Sequence, residues 1–225
     1  MGIRRVKTID DIVPVRNAVI SVYDKQDIEK LGAFLLQNGV NIYSTGGTYK
    51  RLRDELQTDL VQDISSYTGM PETEGGLVKS LHHKPFLGYL TETYSEAHQN
   101  DLKRENAVPI DLFVGNFYPF EKVISDGADI EDARGNIDVG GPSALRAAAK
   151  NWHRVAAVVD PADYKQIIDD MSDPASLGCT RLQTRFELHK KAYRLLADYN
   201  KAIADFVEGV PFEEARKAYE VKQSG

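Results

Sequence analysis

The stretch Asn41-Ile42-Tyr43-Ser44-Thr45-Gly46-Gly47-Thr48 sets a short run rich in strand-forming residues directly before two glycines. The residues from Thr48 to Leu56 then follow with helical spacing of apolar side chains. This order predicts a strand, a tight turn and a helix. A unit of this kind belongs to parallel sheets, in which a helix connects one strand to the next.

The same unit occurs just upstream. Ala18 to Ser21 has the apolar character of a buried strand, and Asp24 is a plausible N-cap for the helix after it. That helix is predicted from apolar positions at helical spacing, namely Ile28, Leu31, Leu35 and Leu36. Asn38-Gly39 should end it, because glycine tolerates the left-handed conformation that follows many helices.

Further strands and helices alternate along the chain. Strands are predicted at Leu60 to Ile64, Asp111 to Phe117 and Arg154 to Asp160, and helices at Pro142 to Asn151 and from Pro161 onward. This alternation predicts an α/β fold of three layers, with a mostly parallel sheet between helices. Ligands of such folds bind where strands end and helices begin.

The pattern becomes purely helical from Ser176 to about Phe206. The apolar positions that share one helical face are Leu182, Phe186, Leu196, Tyr199, Ile203 and Phe206. We therefore expect a domain at residues 14–175 and a C-terminal helical extension at 176–225, packed on the domain or on a partner subunit. The polar stretch from Thr91 to Pro109 receives no assignment.

Composition narrows the classes of function. The 225 residues carry a net charge of −6 and the sequence pI is about 5.4, which argues against a nucleic-acid-binding protein. A few lysines at one cleft could still bind a small anion. Cys179 is the single cysteine, so an internal disulfide is excluded. No secretory signal and no run of ~20 apolar residues is found, and a cytoplasmic protein is expected.

The turn from Ser44 to Thr48 is the first candidate binding site. Glycines at a helix start let the backbone N–H groups approach an anion, and this favours a phosphate site. Glycine turns between strands and helices are also common without any ligand. Lys25, after the first strand, would lie at the same sheet edge, although an exposed lysine beside a capped helix has the same pattern.

The segment from Gly75 to Lys84 combines paired glycines, two lysines and two histidines, and it predicts a flexible, electropositive loop. A zinc site is the rival interpretation. Adjacent histidines rarely bind one metal, and no third ligand is close in sequence, so no metal is expected.

Two later segments also end strands or begin helices. Pro119 keeps Tyr118 out of helical geometry, so the Tyr118 hydroxyl could point into a cleft or the aromatic residues could simply fill the core. Asp138 precedes Gly140 and Gly141 at a second helix start. Arg146 and Lys150 lie four residues apart on that helix and share a face.

Together these segments resemble the IMP cyclohydrolase domain, the N-terminal domain of the bifunctional purine biosynthesis protein. The resemblance runs from about Arg16 to about Phe206. It rests on seven motifs in register: SV-x-DK, STGGT, TG-x-PE, G-x-VK-x-LH, N-x-YPF, IDVGGPS-x-LRAAAKN and VVDPADY.

The resemblance implies a methylglyoxal-synthase-like α/β domain that works as a homodimer without metal or organic cofactor. The implied reaction closes the ring of 5-formamidoimidazole-4-carboxamide ribotide to give IMP and water. Lys79, Tyr118, Asp138 and Lys150 match the family's catalytic positions. The matching substrate-binding positions are Ser21, Lys25, Ser44, Thr45, Gly46, Gly47, Thr48, Asn116 and Gly140. Lys25, Lys79 and Lys150 are expected to meet at one cleft.

Several positions depart from the family pattern. Leu77 replaces an arginine that precedes the catalytic lysine, and His83 replaces a proline, while Tyr23 and Gln26 replace a serine and a threonine. These changes lie near the phosphate end of the expected site, whereas the four expected catalytic residues keep the family's identity. The chain also stops where the family continues into a formyltransferase domain, so a separate formyltransferase is an expected partner.

Two alternatives remain beside the enzyme. A nucleotide-sensing regulatory module of the same fold would need the phosphate site without the catalytic set. A methylglyoxal-synthase-like lyase would share the glycine turn but has no use for the segment from Gly140 to Asn151.

Overall fold

A five-stranded parallel sheet forms the centre of the molecule in the computed structural model, which describes residues 5–71 and 80–222. The strand order is β4-β3-β2-β5-β6. These strands are β2 (Asn17–Val22), β3 (Asn41–Ser44), β4 (Val61–Asp63), β5 (Leu112–Asn116) and β6 (Ala156–Val158). Two short strands, β1 (Ile12–Pro14) and β7 (Cys179–Arg181), form a separate antiparallel pair.

Helices occupy both faces of the sheet. In chain order they are α1 (Ile28–Gln37), α2 (Gly46–Leu56), α3 (Ile64–Thr68), α4 (His83–Leu90), α5 (Glu96–Arg104), α6 (Phe120–Ser125), α7 (Ile130–Gly135), α8 (Gly140–Lys150), α9 (Tyr164–Ser172), α10 (Leu182–Gly209) and α11 (Phe212–Lys217). A 3₁₀ turn, Pro161–Asp163, precedes α9.

Two hydrophobic cores lie on the two faces of the sheet. On one face, Ala18 and Ile20 of β2 pack with residues of α1, α2 and α9. On the other, Val19 and Phe113 pack with residues of α4, α8 and α10. Alternate residues of a strand point to opposite faces, so a strand buried on both sides is apolar throughout. The three-layer α/β class predicted from the sequence is confirmed.

The two ends of α1 show which local signals were informative. The helix ends at Gln37 with Asn38 as its C-cap, and Gly39 has a φ of 73°, as the glycine signal predicted. The predicted N-cap was wrong, because the helix begins after Asp27. Asp24 lies one turn earlier, and its Oδ1 accepts a hydrogen bond from the N–H of Gln26 at 2.9 Å. The Asp24 carboxylate therefore stabilises the turn before α1, and it does not cap the first N–H groups of the helix.

The prediction of helix alone from Ser176 was wrong at its start. Residues Cys179–Arg181 form β7, whose partner β1 lies more than 160 residues earlier in the chain. The junction is stabilised by Arg185, which is fully buried and donates to the carbonyl oxygens of Thr180 and Asp10. A pairing over this separation leaves no periodic trace in the local sequence. The helix α10 then begins at Leu182.

Two other segments contain helical residues that the sequence pattern did not predict. The unassigned stretch from Thr91 to Pro109 contains α5, whose N-cap Ser95 accepts a bond from the N–H of His98. Of the predicted loop from Gly75 to Lys84, residues 75–79 lie outside the described residues, and His83 and Lys84 belong to the first turn of α4. Within residues 5–71 and 80–222, no helix has the length and apolar character to cross a membrane.

Candidate active site

A cleft of about 320 Å³ opens where β2 and β5 end and α8 begins. We call it the strand-end cleft. Its lining residues are Val19, Ser21, Thr45, Ser80, Leu81, Tyr89, Phe113, Asn116, Gly135, Ile137, Asp138, Val139, Gly140, Gly141 and Ala144. Five of the predicted site residues lie there: Ser21, Thr45, Asn116, Asp138 and Gly140. A larger groove of about 560 Å³ lies along residues 5–10 and 92–94, and it is lined by none of the predicted site residues.

The strand register brings the cleft's polar groups together. Ser21 pairs with Gly115 across β2 and β5, and Ile20 pairs with Ser44 across β2 and β3. The carboxyl ends of three parallel strands therefore lie at one edge of the sheet. At that edge the hydroxyls of Ser21 and Thr45 are 2.7 Å apart and hydrogen-bonded to each other.

The other two predicted hydroxyls have structural partners. Ser44 is fully buried and donates to the carbonyl oxygen of Ile20 at 2.6 Å. Thr48 is also buried, and its Oγ1 donates to the carbonyl of Val22 and accepts from the Val22 N–H. These bonds hold α2 against β2. The four predicted hydroxyl residues thus divide into Ser21 and Thr45, which line the cleft, and Ser44 and Thr48, which support it.

The glycine turn places the start of α2 beside Lys25. Gly46 has a φ of 46°, a conformation that favours glycine, and the Thr45 side chain makes no capping bond to the helix. A Cβ on Gly47 would lie 3.9 Å from the Cε of Lys25, so the lysine chain runs over the turn. Its Nζ donates to the carbonyl of Tyr23 at 3.3 Å. A cation and a helix N-terminus therefore adjoin each other, which is favourable for an anion.

Asn116 links the cleft to the loop after β2. Its Oδ1 accepts hydrogen bonds from the N–H groups of Tyr23 at 2.8 Å and Asp24 at 2.9 Å. Because the oxygen is engaged by the backbone, the amide nitrogen is the group that Asn116 can offer to a ligand in the cleft.

Asp138 stands at the start of α8 with its carboxylate fixed by the helix. Oδ1 accepts a bond from the N–H of Gly141 at 2.9 Å. A Cβ on Gly141 would approach Oδ2 of Asp138 to 2.6 Å and Cδ1 of Phe117 to 3.0 Å, and a Cβ on Gly140 would approach Oγ of Ser80 to 2.9 Å. Both glycines are therefore needed for the close approach of these groups.

Tyr118 and its neighbours divide between the two interpretations drawn from the sequence. Phe117 and Phe120 are buried in the core. Tyr118 is half-buried, with its ring edge-on to Tyr23 at 4.7 Å between centroids and Nζ of Lys122 5.7 Å from its centre. Tyr118 follows the cleft residue Asn116 by two positions, but it is not among the residues that line the strand-end cleft.

The expected meeting of three lysines at one cleft is not found for Lys150. This residue is exposed at the last position of α8, ten residues after Gly140. At about 1.5 Å per residue it lies about 15 Å along the helix from Gly140 and about 9 Å from Ala144, the last residue of α8 that lines the cleft. Arg146 is exposed on the same helix. Lys79 and Leu77 lie outside the described residues.

The side chains of the adjacent histidines, His82 and His83, contact other residues of the protein. Their rings are 4.3 Å apart; Nδ1 of His82 accepts a bond from the N–H of Lys84, and Nε2 of His83 is 3.3 Å from Oε2 of Glu105. Burial, followed by the nearby His83 and Lys84, lowers the pKa of His82. In the part of the chain that the structure describes, no group of three His, Cys, Asp or Glu side chains is placed to hold a metal ion.

The sequence did not single out the apolar wall of the cleft or its support from α10. Tyr89 is fully buried in this wall, and burial raises the pKa of its hydroxyl, which keeps the phenol neutral. Tyr199 of α10 reaches the turn before α8, where its oxygen accepts a bond from the N–H of Asp138 at 2.8 Å. Tyr199 carried only a helical-face signal in the sequence.

The fold and this strand-end cleft define the class of protein. Residues 27–143 match the family model of the MGS-like domain, and the chain belongs to this family. Residues 148–224 match a second model, described as the AICARFT/IMPCHase bienzyme.

Relatives with names and one solved structure agree with these matches. The chain is 41% identical over 202 residues to the bifunctional purine biosynthesis protein PurH of Rhodopirellula baltica, covering 89% of this chain and 38% of that protein. PurH of Rhodospirillum rubrum is 40% identical over 197 residues, with 88% and 37% covered. The chain thus spans about two fifths of the length of these curated relatives. The crystal structure of ForH is 33% identical, with a TM-score of 0.73, and covers 84% of this chain and 97% of its own.

Proposed function

We propose that this chain is an IMP cyclohydrolase, which closes the ring of 5-formamidoimidazole-4-carboxamide ribotide to form IMP and water. One observation carries the proposal. The strand-end cleft joins the Ser21–Thr45 hydroxyl pair, Asn116 and Asp138 between the starts of α2 and α8. The named relatives are proteins of purine biosynthesis, and this supports a purine ribotide as the substrate.

The phosphate of the ribotide would bind at the start of α2. The donors available there are the N–H groups of Gly46 and Gly47, the hydroxyl of Thr45, which lines the cleft, and the ammonium of Lys25, which lies beside the turn. A phosphate there completes the hydrogen bonding of the first turn, which the Thr45 side chain does not cap.

The reacting end of the ribotide would lie near Asp138. Ring closure requires a poorly nucleophilic carboxamide nitrogen to attack a formyl carbon, and the product then loses water. Asp138 would orient the carboxamide and take part in proton transfer, with Lys150 as its partner. Lys79, assisted by Tyr118, would polarise the formyl oxygen and help water to leave.

The position of Lys150 bears on the assembly. Lys150 is exposed and does not line the cleft of its own chain, and the proposal therefore includes a homodimer in which Lys150 serves a cleft together with the second copy. It also includes a separate formyltransferase as partner, a cytoplasmic location, no cofactor, and a division into a domain at 14–175 and an extension at 176–225.

Turnover of the formylated ribotide tests the proposal. With a metal chelator present, wild-type chain should form IMP, and Asp138→Asn should lower kcat by about 100-fold or more, since general acid–base catalysis typically contributes that much. Asp126→Asn, at an exposed aspartate on the end of α6, is the matched control and should keep wild-type turnover.

Calorimetric titration with the ribotide separates the possible failures. Binding without any ring closure by the wild type would replace the enzyme with a nucleotide-sensing module. The absence of both binding and turnover would show that the cleft accepts a different ligand.

A further inference from the structure

Tyr199 is a buried tyrosine of α10 that contacts both site-bearing turns. It is 5% exposed, and its hydroxyl oxygen accepts a hydrogen bond from the N–H of Asp138 at 2.8 Å. Its ring packs edge-on against Phe117, with 5.1 Å between centroids, and against Phe120 at 6.4 Å. These two phenylalanines flank the segment that carries Tyr118. One side chain from a distant helix therefore touches the supports of two predicted catalytic residues.

The contacts around Asp138 leave little room for a different arrangement. The carboxylate accepts from the N–H of Gly141 on one side, while Phe117 lies against Gly141 and against the ring of Tyr199. Asp138 itself is exposed. The bond from its N–H to Tyr199 thus ties an exposed turn to the buried core of the domain.

We propose that Tyr199 is a positioning residue of the active site, which holds the turn before α8 so that the Asp138 carboxylate points into the strand-end cleft. This inference rests on the proposed function for its catalytic consequence. The bond to Tyr199 fixes the peptide plane that precedes Asp138, and the bond from Gly141 fixes its carboxylate. Loss of one of two such restraints lets the carboxylate move, and a misplacement of about 1 Å can lower a rate by ~100-fold.

The hydroxyl is suited to this task over a wide pH range. Burial raises the pKa of Tyr199, against the lowering effect of the Asp138 N–H, so the phenol stays protonated. Removal of this hydroxyl should therefore leave the pH dependence of the activity near neutral pH unchanged.

Tyr199→Phe removes the hydroxyl and keeps the ring. Tyr193→Phe, at a tyrosine that is 36% exposed on the same helix, is the matched control. We expect Tyr199→Phe to lower kcat by about tenfold with KM changed less than about twofold, and to leave the shape of the pH profile unchanged. Equal kcat in wild type and Tyr199→Phe would overturn the proposal, as would a rise in KM alone.

Amide hydrogen exchange supplies a readout that does not depend on turnover. In the wild type, the Asp138 amide should exchange at least about tenfold more slowly than an unbonded amide in the same turn, and Tyr199→Phe should remove this protection while leaving the amides of β2 and β5 protected. An unprotected Asp138 amide in the wild type would overturn the inference without any variant. If the wild type shows this protection but no ring closure, the proposed function fails and the positioning of Asp138 by Tyr199 stands.

Discussion

The hydroxyl groups near the glycine turn have different roles, according to whether they line the strand-end cleft or lie buried beneath it. Ser21 and Thr45 bond to each other at the cleft, whereas Ser44 and Thr48 bond to the backbone of β2. A hydroxyl that satisfies buried backbone groups contributes to stability, because leaving such a group unpaired costs about 1–3 kcal/mol. The four residues are therefore separable by experiment.

Thr48→Val should destabilise the fold more than Ser21→Ala. The valine is similar in size but leaves both the N–H and the carbonyl of Val22 without the Thr48 hydroxyl, so we expect a loss of about 1–3 kcal/mol in the free energy of unfolding. Ser21→Ala should stay within about 1 kcal/mol of wild type and weaken ribotide binding instead. Urea unfolding and calorimetric titration measure the two effects. Equal destabilisation by both variants would contradict the division.

Gly141→Ala should impair the site more than the fold. The new Cβ would approach Oδ2 of Asp138 to 2.6 Å, so the carboxylate must move away from its present position. We expect kcat to fall by ~100-fold. Gly209→Ala, at the end of α10 with no atom within 4 Å of the added Cβ, is the control and should keep wild-type turnover. A Gly141→Ala enzyme with normal kcat would show that the Asp138 carboxylate tolerates displacement.

The helix α4 shows how an element can acquire pH sensitivity from its cap. The N-cap is His82, and its Nδ1 must be unprotonated to accept the N–H of Lys84. A folded-state pKa below the ordinary value of 6.5 means that the folded chain binds fewer protons than the unfolded chain in that range. Stability from this group is therefore present above pH 6.5 and is lost as the pH falls through the lower, folded-state pKa.

His82→Asn should reduce the loss of stability on acidification. Asparagine is a favourable N-cap that does not titrate, so the variant keeps a cap at every pH. We expect the free energy of unfolding to fall less between pH 7 and pH 5 than in the wild type, as followed by urea titrations at each pH. The other histidine with a lowered pKa, the half-buried His153, remains in both proteins. Identical pH dependence would show that the His82 cap does not contribute.

At the scale of the whole molecule, a buried ion pair between Arg154 and Asp111 connects the central sheet to α4. Arg154 and Asp111 are both nearly inaccessible, with NH1 3.2 Å from Oδ1. The guanidinium also donates to the carbonyls of Gly88 and Thr91, and Oδ2 of Asp111 accepts from the N–H groups of Arg16 and Asn17. Burial raises the pKa of Asp111 against the attraction of Arg154. The pair ties the starts of β2 and β5 to the end of α4.

Arg154→Met should be strongly destabilising. It leaves the carboxylate of Asp111 buried without its cation, and breaking a buried pair in this way costs about 3–5 kcal/mol. Lys165→Met breaks an exposed pair with Asp169 and should change the free energy of unfolding by less than about 0.5 kcal/mol. Chemical unfolding of both variants measures the difference. A loss below about 1 kcal/mol in Arg154→Met would mean that water or another group replaces the guanidinium.

Much of the fold and part of the site followed from local sequence. The alternation of strand and helix, the end of α1 at Gly39 and the glycine turn before α2 depend on residues within a few positions of each other, and such patterns reflect local backbone preferences and the burial of one face. The distance of Lys150 from Gly140 was also available, because helix geometry sets it.

Only the tertiary structure decided what depends on partners far along the chain. The pairing of β7 with β1, the burial of Ser44 and Thr48 beneath the cleft, and the bond from Asp138 to Tyr199 each join segments separated by 24 to more than 160 residues. Local periodicity reports which face of an element is buried, but it does not contain the identity of the group that it meets. A hydrogen bond depends on that group's position to within a few tenths of an ångström, and packing of the complete chain sets this position.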